Sequence, residues 1–388
     1  MKIGIEGQRL FRNNKHGMDF VALELIRNLQ ELDTENEYYV YISPGPDKCL
    51  SSSGNFQIIE LEGGAYPVWE QYALPKAAKN HGCELLHCTS NTGPVSGSVP
   101  LVLTLHDIFY LETVSLFRKG FTMYQKFGNM YRRYIVPAAV KRSRKIITVS
   151  YSEKNRIADF FGLSDDRLAV VYNGVSTRFT PVNDPVALSR IRENYHLPEK
   201  FIFLLGNTDP KKNTKGTIIA YSKFLSTCKN PVPLVIADFP ESSLNTILTS
   251  QGIQEIRPHI IRLDYIDNKD LPAIFTLSSQ FLYPSFWESF GIPILEAMAC
   301  GTPVITSNVF SMPEIAGDAA LLVDPKNTDE IAKAMLTLSE NQTLVSEMKR
   351  KGLEQATRFS WKSMAKEYLK IYRDIHQSGS NGFNQPDR

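Results

Sequence analysis

No apolar run in this sequence approaches the roughly 20 residues needed to cross a bilayer. The opening Met1-Lys-Ile-Gly-Ile-Glu6 carries no apolar leader, so no signal peptide is expected. Cysteine is scarce, with five in 388 residues, at 49, 83, 88, 228 and 300. An odd, sparse set in a chain this long suits free thiols in a reducing compartment, not a disulfide scaffold. Charge of one sign is lacking too: 43 Lys plus Arg against 41 Asp plus Glu leave a net charge of +2. Composition as a whole therefore does not mark a nucleic-acid binder. There is no Gly-x-Gly-x-x-Gly after Ile5 or Leu205 and no Walker loop, which weakens the case for a nicotinamide oxidoreductase or a P-loop enzyme. His81, Cys83, His87 and Cys88 lie close together, but no second ligand pair exists elsewhere. Glu84-Leu-Leu-His-Cys88 reads as a buried strand, not a zinc site.

Hydrophobic residues make up 43% and charged residues 22%, enough to bury a substantial core and to exclude disorder as the main description. Short apolar runs alternate with amphipathic stretches. Strands are expected at Lys2–Glu6, Tyr38–Ile42, Gln57–Leu61, Leu85–Cys88, Leu101–Leu105, Lys145–Val149 and Leu168–Tyr172. Six more are expected at Phe201–Leu205, Pro233–Ala237, Ile260–Leu263, Gln280–Tyr283, Pro303–Thr306 and Ala320–Val323. Helical patterns such as Phe20–Glu31, Glu153–Phe161, Lys215–Ser226 and Asp329–Leu338 lie between them. This rhythm predicts an α/β protein with parallel sheets covered on both faces. It breaks across Gly174–Lys200, where Pro181, Asp184-Pro185 and Leu197-Pro198 fall. Two doubly wound Rossmann-like domains are therefore expected, over 1–176 and 199–357, with 177–198 as linker and 358–378 as a final helix. Asn381–Arg388 reads as a frayed polar tail.

Ligands of doubly wound sheets bind outside the carboxyl ends of the strands. The strongest segment there is Pro284-Ser-Phe-Trp-Glu-Ser-Phe-Gly-Ile-Pro-Ile-Leu-Glu-Ala-Met-Ala-Cys-Gly-Thr-Pro-Val-Ile305. A strand ends at Tyr283, a loop follows, and a helix begins near Pro293, where a missing N–H costs nothing. Gly301 closes that helix. The amides of Gly291 and Ile292 at its start suit a phosphate. Glu288 and Glu296, eight residues apart, can border one ligand at different depths, and carboxylates accept hydrogen bonds from sugar or ribose hydroxyls. Taken alone, such a pair is more often ordinary surface glutamate.

The whole segment resembles the Glu-x7-Glu signature of retaining GT-B glycosyltransferases of family 4. The resemblance continues in Gly206-Asn-Thr-Asp-Pro-Lys-Lys-Asn213, Leu105-His-Asp-Ile108, Ile147-Thr-Val-Ser-Tyr-Ser152, Val171-Tyr-Asn-Gly-Val175 and Ser311-Met-Pro-Glu-Ile-Ala-Gly-Asp-Ala-Ala320. Trp69-Glu-Gln and Asn91-Thr-Gly-Pro94 are similar to a mannosyltransferase-like branch. The resemblance implies an N-terminal acceptor-binding domain, a C-terminal donor-binding domain, and a last helix crossing back to the N-terminal domain, with Trp361 buried at the crossing. It implies that Glu288 holds the donor sugar and Glu296 the nucleotide ribose. Gly291 and Ile292 would contact sugar and diphosphate, and Lys212 would neutralise the diphosphate. Gly206 and Lys211 belong to the phosphate loop, and Tyr265 and Ile266 match where the nucleobase meets backbone. Gly17 would let the N-terminal loop approach the donor, and His106 would approach the donor sugar. Trp69, Glu70, Asn91 and Asp107 are candidates on the acceptor side. Two departures stand out: Asn207 replaces the arginine common after the loop glycine, and Met18 replaces a small residue. Lys211 compensates incompletely, since an ammonium is no bidentate guanidinium.

No Asp-x-Asp occurs, so no metal and no cofactor are expected; Lys212 and helix amides would do the metal's charge work. The function so implied is transfer of a hexose, mannose from GDP-mannose first, to a glycan or lipid-linked acceptor in cell-surface polysaccharide biosynthesis. Glucosyl, rhamnosyl or N-acetylglucosaminyl transfer from a UDP or dTDP donor stays open, as does an inactive sugar-nucleotide-binding protein. From Thr113 to Ser152 there is no acid, while Arg118–Lys145 supplies nine cations with interleaved aromatics. A core-packed helix with solvated cations is one reading. Peripheral contact with an anionic membrane or a lipid diphosphate is another, and RNA a third, though no nucleic acid is expected as partner. The protein is expected in the cytoplasm, with the inner face of the plasma membrane open to it through this stretch.

Overall fold

A computed structural model describes residues 1–112 and 123–380, with side chains at 123–126 and 379–380 left aside. Two compact units emerge, one of Met1–Asn173 with the C-terminal segment from Trp361, the other of Gly174–Ser360.

The first unit holds β1 (Lys2–Glu6), β2 (Glu37–Ile42), β3 (Phe56–Glu60), β4 (Leu85–Cys88), β5 (Leu101–Thr104), β6 (Lys145–Thr148) and β7 (Leu168–Val170). All pair in parallel, in the order β3-β2-β1-β4-β5-β6-β7. Strands buried on both faces read as continuous apolar runs, which is why Leu101–Thr104 shows no alternation. The second unit holds β8 (Ile202–Leu205), β9 (Leu234–Ala237), β10 (Ile260–Leu263), β11 (Gln280–Tyr283), β12 (Val304–Ser307) and β13 (Ala320–Val323), ordered β10-β9-β8-β11-β12-β13 and again parallel. One face buries Phe203, Phe275, Phe281 and Met298. The other buries Ile218, Tyr221, Leu244 and Met335.

In each sheet the order reverses beside the first strand, between β1 and β4 and between β8 and β11. The carboxyl ends of these strands are where doubly wound sheets bind ligands.

Three expectations need correction. Residues 177–198 are folded into the second unit, not a linker: Pro185–Asn194 is a helix, capped by Asp184 Oδ1 accepting from the Val186 amide, and Ile191 enters the core. The final helix, Trp361–Ser380, packs on Gly17–Leu32 within the first unit, but Trp361 is only half-buried. The large aromatic burial falls two and three turns later, on Tyr368 and Tyr372. In the basic stretch, Arg118 and Lys119 with Phe117 and Phe121 lie outside the described residues, as do the side chains of Tyr124 and Lys126. In the helix Met123–Arg142, Tyr131 turns inward, while Phe127, Met130 and Tyr134 are 54%, 46% and 76% exposed, so its aromatic residues do not all join the core. Arg142 is spent on the carbonyls of Pro94, Gly97 and Val99. Among the described residues no helix is long and apolar enough to cross a membrane.

The final helix fixes a buried polar chain. Tyr372 lies 2.7 Å from His87 Nδ1, His87 Nε2 lies 2.7 Å from Thr104 Oγ1, and Thr104 lies 3.0 Å from the Tyr368 hydroxyl. Both ring nitrogens of His87 are thus occupied by hydroxyls, leaving none for a metal. Burial, and then the neighbouring His106, hold the His87 pKa down to about 3 from an ordinary 6.5. Between those values the unfolded chain takes up a proton that the folded chain refuses. This contribution is therefore complete above pH 6.5 and is lost as pH falls towards 3. At pH 5 the loss is about 2 kcal/mol. His87→Gln should lower stability at pH 7 yet reduce the drop between pH 7 and 5 by about that amount. Urea denaturation at the two pH values measures it, and parallel curves for variant and wild type would contradict it.

Candidate functional site

In the second unit two loops leave adjacent strands, 206–213 after β8 and 284–291 after β11. They are tied together along their length. The Phe286 amide donates to the Lys211 carbonyl at 2.7 Å. Asn213 Nδ2 donates to the carbonyls of Pro284 (3.0 Å) and Pro325 (2.7 Å). Asn213 itself sits at φ +56°, a left-handed conformation that asparagine tolerates better than most residues. Ser311 Oγ donates to the carbonyls of Glu288 and Phe290, and Ser307 Oγ to that of Ser285.

This framework brings Lys212 and Glu288 together. Lys212 Nζ lies 2.7 Å from Glu288 Oε1 and donates to the Tyr283 hydroxyl at 2.9 Å. Tyr283 is buried. Burial raises its pKa well above the ordinary value, and the negative fields of Glu288 and Glu296 add to this. Glu296 lies on the helix Ile292–Ala299. Burial pushes its carboxyl up to about 7, against the pull of the Arg178 guanidinium.

Gly291 caps that helix at φ +97°, where a Cβ would be strained and would meet Ile294 Cδ1 at 3.0 Å. Pro293 has no N–H and the Ile294 amide already donates to the Gly291 carbonyl. The amides of Gly291 and Ile292 therefore precede the first helical bond and are left to meet an anion. Gly206 has another reason to be glycine: a Cβ there would stand 2.6 Å from Phe239 Cβ and 2.9 Å from the Ala237 carbonyl. Lys211 lies with Nζ 5.0 Å from the centre of the Trp287 ring, with only a loose 3.9 Å contact to Asp209. The Tyr265 side chain is exposed, whereas that of Ile266 belongs to the core. A cavity of about 710 Å³ is lined by Asn207, Asp209, Lys215, Phe239, Ser242 and Phe286. Lys212, Glu288 and Glu296 do not line it, so the carboxylate and lysine chemistry lies elsewhere.

In the first unit His106 is buried after β5. Its amide donates to Asn91 Oδ1 at 2.6 Å, and Asn91 holds φ +67°. His106 Nε2 lies 3.0 Å from the Thr89 carbonyl, which can only accept, so the ring proton sits on Nε2 and Nδ1 keeps a lone pair. Burial lowers the pKa to about 4, so the ring is a neutral acceptor and not a cation. Asp107 accepts from the Phe109 amide, capping the next turn. Gly17 begins the helix Gly17–Leu32 with open space where a Cβ would project.

Trp69 and Glu70, expected on the acceptor side, are interior. The Trp69 indole donates to the Leu61 carbonyl. Glu70 accepts from Tyr66, Thr92, Gln71 and Tyr131. Neither can touch a ligand, so their role is to hold others. Sequence reasoning missed Tyr283 and the clamp by Asn213. The first was visible only as a strand end, the second only as the last residue of a motif.

Residues 16–179 match the family described as Glycosyltransferase Family 4, and residues 189–355 match Glycosyl transferases group 1. The fold is shared with a solved structure of HepE from Anabaena in complex with UDP: TM-score 0.72, 17% identity, covering 96% of this chain and 100% of that one. The chain belongs to the family-4 glycosyltransferases of GT-B fold. O-antigen chain mannosyltransferase B of Escherichia coli is 31% identical over 234 residues, 60% of this chain and 61% of that protein. The serotype-specific mannosyltransferase WbdA of Escherichia coli is 27% identical over 244 residues, 62% of this chain but 30% of its own length. The match thus spans less than two thirds of the length of each of these two relatives.

Asn213→Ala should lower stability by about 3 kcal/mol, because two buried carbonyls lose their donor. At about 2–4 °C per kcal/mol for a unit of this size, the melting temperature should fall by roughly 10 °C. An unchanged transition by calorimetry would mean that the two loops are held by other contacts.

Proposed function

We propose that the protein transfers mannose from GDP-mannose, with retention, to a hydroxyl of a growing glycan or its lipid-linked precursor in cell-surface polysaccharide assembly. The observation that carries this reading is the Lys212–Glu288 pair at 2.7 Å beside the Gly291 and Ile292 amides. The mannosyl donor and the polysaccharide setting draw support from the Escherichia coli relatives, an O-antigen chain mannosyltransferase and a serotype-specific mannosyltransferase.

Each group has a task in this scheme. The donor diphosphate lies against the two amides and Lys212. Charge grows on its leaving oxygen as the glycosidic bond breaks, and a fixed cation with oriented amides stabilises that charge most in the transition state. Glu288 accepts from the sugar hydroxyls and fixes the ring for departure. Glu296 accepts from the ribose hydroxyls. His106, with Nδ1 left as an acceptor, can take a hydrogen bond from a sugar hydroxyl. The acceptor hydroxyl attacks the face the diphosphate leaves, and a diphosphate oxygen takes its proton. No metal enters the scheme.

A panel of GDP, UDP, ADP and dTDP sugars should raise the melting temperature with GDP-mannose most strongly, and EDTA should not alter the shift or the turnover. Glu296→Gln should weaken GDP binding about 10- to 100-fold, the worth of a charged hydrogen bond. With its carboxyl near 7, wild type should gain GDP affinity from pH 6 to 8 relative to this variant. Glu288→Gln should depress turnover more than GDP affinity. A flat panel, or restoration of EDTA-treated enzyme by magnesium, would overturn the corresponding part.

The same reading includes contact with an anionic leaflet. Phe127, Met130 and Tyr134 recur at three- and four-residue spacing on one exposed face of a helix with exposed Lys141 near its end. Aromatic side chains with nearby cations suit a headgroup boundary. Phosphatidylglycerol vesicles should co-sediment the protein at low salt and release it by about 0.5 M, where screening is strong. Phe127→Ser with Tyr134→Ser should abolish co-sedimentation; its persistence would assign the contact elsewhere.

A further inference from the structure

Arg9 follows β1 in a turn closed by the Leu10 amide on the Gly7 carbonyl. Its guanidinium carbon lies 5.3 Å from the centre of the Tyr66 ring. That ring is fixed from behind. The Tyr66 hydroxyl donates to Glu70 Oε1 at 2.5 Å and lies 2.6 Å from Thr92 Oγ1. Tyr131 packs edge-on against Tyr66 and donates to Glu70 Oε2 at 2.6 Å. A wholly buried carboxylate thus holds two tyrosines still, and one of them carries the cation.

Three buried carboxylates, Glu6, Asp19 and Glu70, act electrostatically on Arg9. None of them binds it. Glu6 is spent on the Gln8 amide and Thr89. Asp19 is spent on Arg12 and the His16 amide, and Glu70 on the four partners already named. Among the described residues no acceptor meets any of the five N–H donors of Arg9, which is half-buried. A guanidinium drawn to a fixed place by charge, stacked on a fixed ring and given no hydrogen bond is a donor fork kept for something else.

The surroundings decide what that is. Three carboxylates stand against two guanidiniums, Arg9 and the Arg12 that pairs with Asp19, so carboxylate is in excess, and Asp19 Oδ1 is buried and unpartnered. A phosphate or carboxylate would be repelled, whereas a neutral polyol would not. Vicinal hydroxyls of a pyranose match the spacing of two parallel N–H groups, and a sugar's C–H face suits the aromatic edge beside it.

We propose that Arg9 binds a neutral hexose of the acceptor, donating to two adjacent hydroxyl oxygens beside Tyr66, and so selects uncharged sugar over anionic acceptors. This rests on the glycosyltransferase reading, but its test does not need turnover. Methyl α-D-mannopyranoside is the probe, titrated by saturation-transfer NMR into the full chain without nucleotide, with inorganic phosphate and GDP-mannose as separate arms. Arg9→Met should weaken mannoside binding about tenfold and leave GDP-mannose affinity unchanged. Arg9→Lys keeps the charge and loses the fork, so it should fail nearly as badly; it also carries the test if Arg9→Met does not fold. No mannoside binding by wild type, equal binding by Arg9→Lys, tighter binding of phosphate, or a loss confined to the GDP-mannose arm would each overturn the proposal. A flat nucleotide-sugar panel with Arg9-dependent mannoside binding would instead sink the transferase reading and leave this sugar site standing.

Discussion

The Asn213 amide joins three loops of the second unit through the carbonyls of Pro284 and Pro325. Parallel strands end without turns of their own, so the chemistry of a doubly wound sheet is carried by loops that the sheet only delivers. Such loops are flexible unless their backbone groups are bound. Here one side chain, from a left-handed position, supplies those bonds where water is excluded. Lys212 is its chain neighbour, and Glu288 sits four residues beyond Pro284. Their 2.7 Å contact depends on this clamp more than on their own attraction, because an ion pair with some exposure is worth little by itself.

The first unit uses buried charge in the same way. Glu70 makes four hydrogen bonds with no exposed surface, and its removal would take the shared acceptor from two tyrosines, a threonine and a glutamine. His87 and His106 are kept neutral by burial, so each is an acceptor or a bridge and never a cation at neutral pH. Charge that reaches solvent is separated from charge that organises. Arg9 stands at that boundary, held by carboxylates it does not touch.

The sheets were legible in the residues because the signal for a parallel strand is local: a short run of apolar side chains ended by a turn. Each expected strand lies within two residues of an observed one. The helix Pro185–Asn194 was not legible, since Pro181, Pro185 and Pro198 read as breaks. Pro185 stands at the helix's first position, where proline is welcome, and only packing of Ile191 on the core distinguishes helix from linker. Trp361 promised the largest burial of the last helix, yet it stands at the helix's first position and stays half-buried, while Tyr368 and Tyr372 on the same face two and three turns further on are enclosed.

The motifs by themselves singled out the candidates for the chemistry, Glu288, Glu296, Lys212, and the Gly291 and Ile292 amides, because each follows a strand end and is of a type the proposed chemistry needs. Only the tertiary structure decided how they meet. Lys212 and Glu288 are 76 positions apart, and Tyr283 is 71 from the lysine it receives. No local pattern encodes such contacts, which follow from β8 and β11 lying side by side in the sheet. The same holds for Trp69 and Glu70. A Trp-Glu-Gln run reads as recognition surface, but three neighbouring elements close over it, and a carboxylate with four donors around it becomes a brace instead of a ligand.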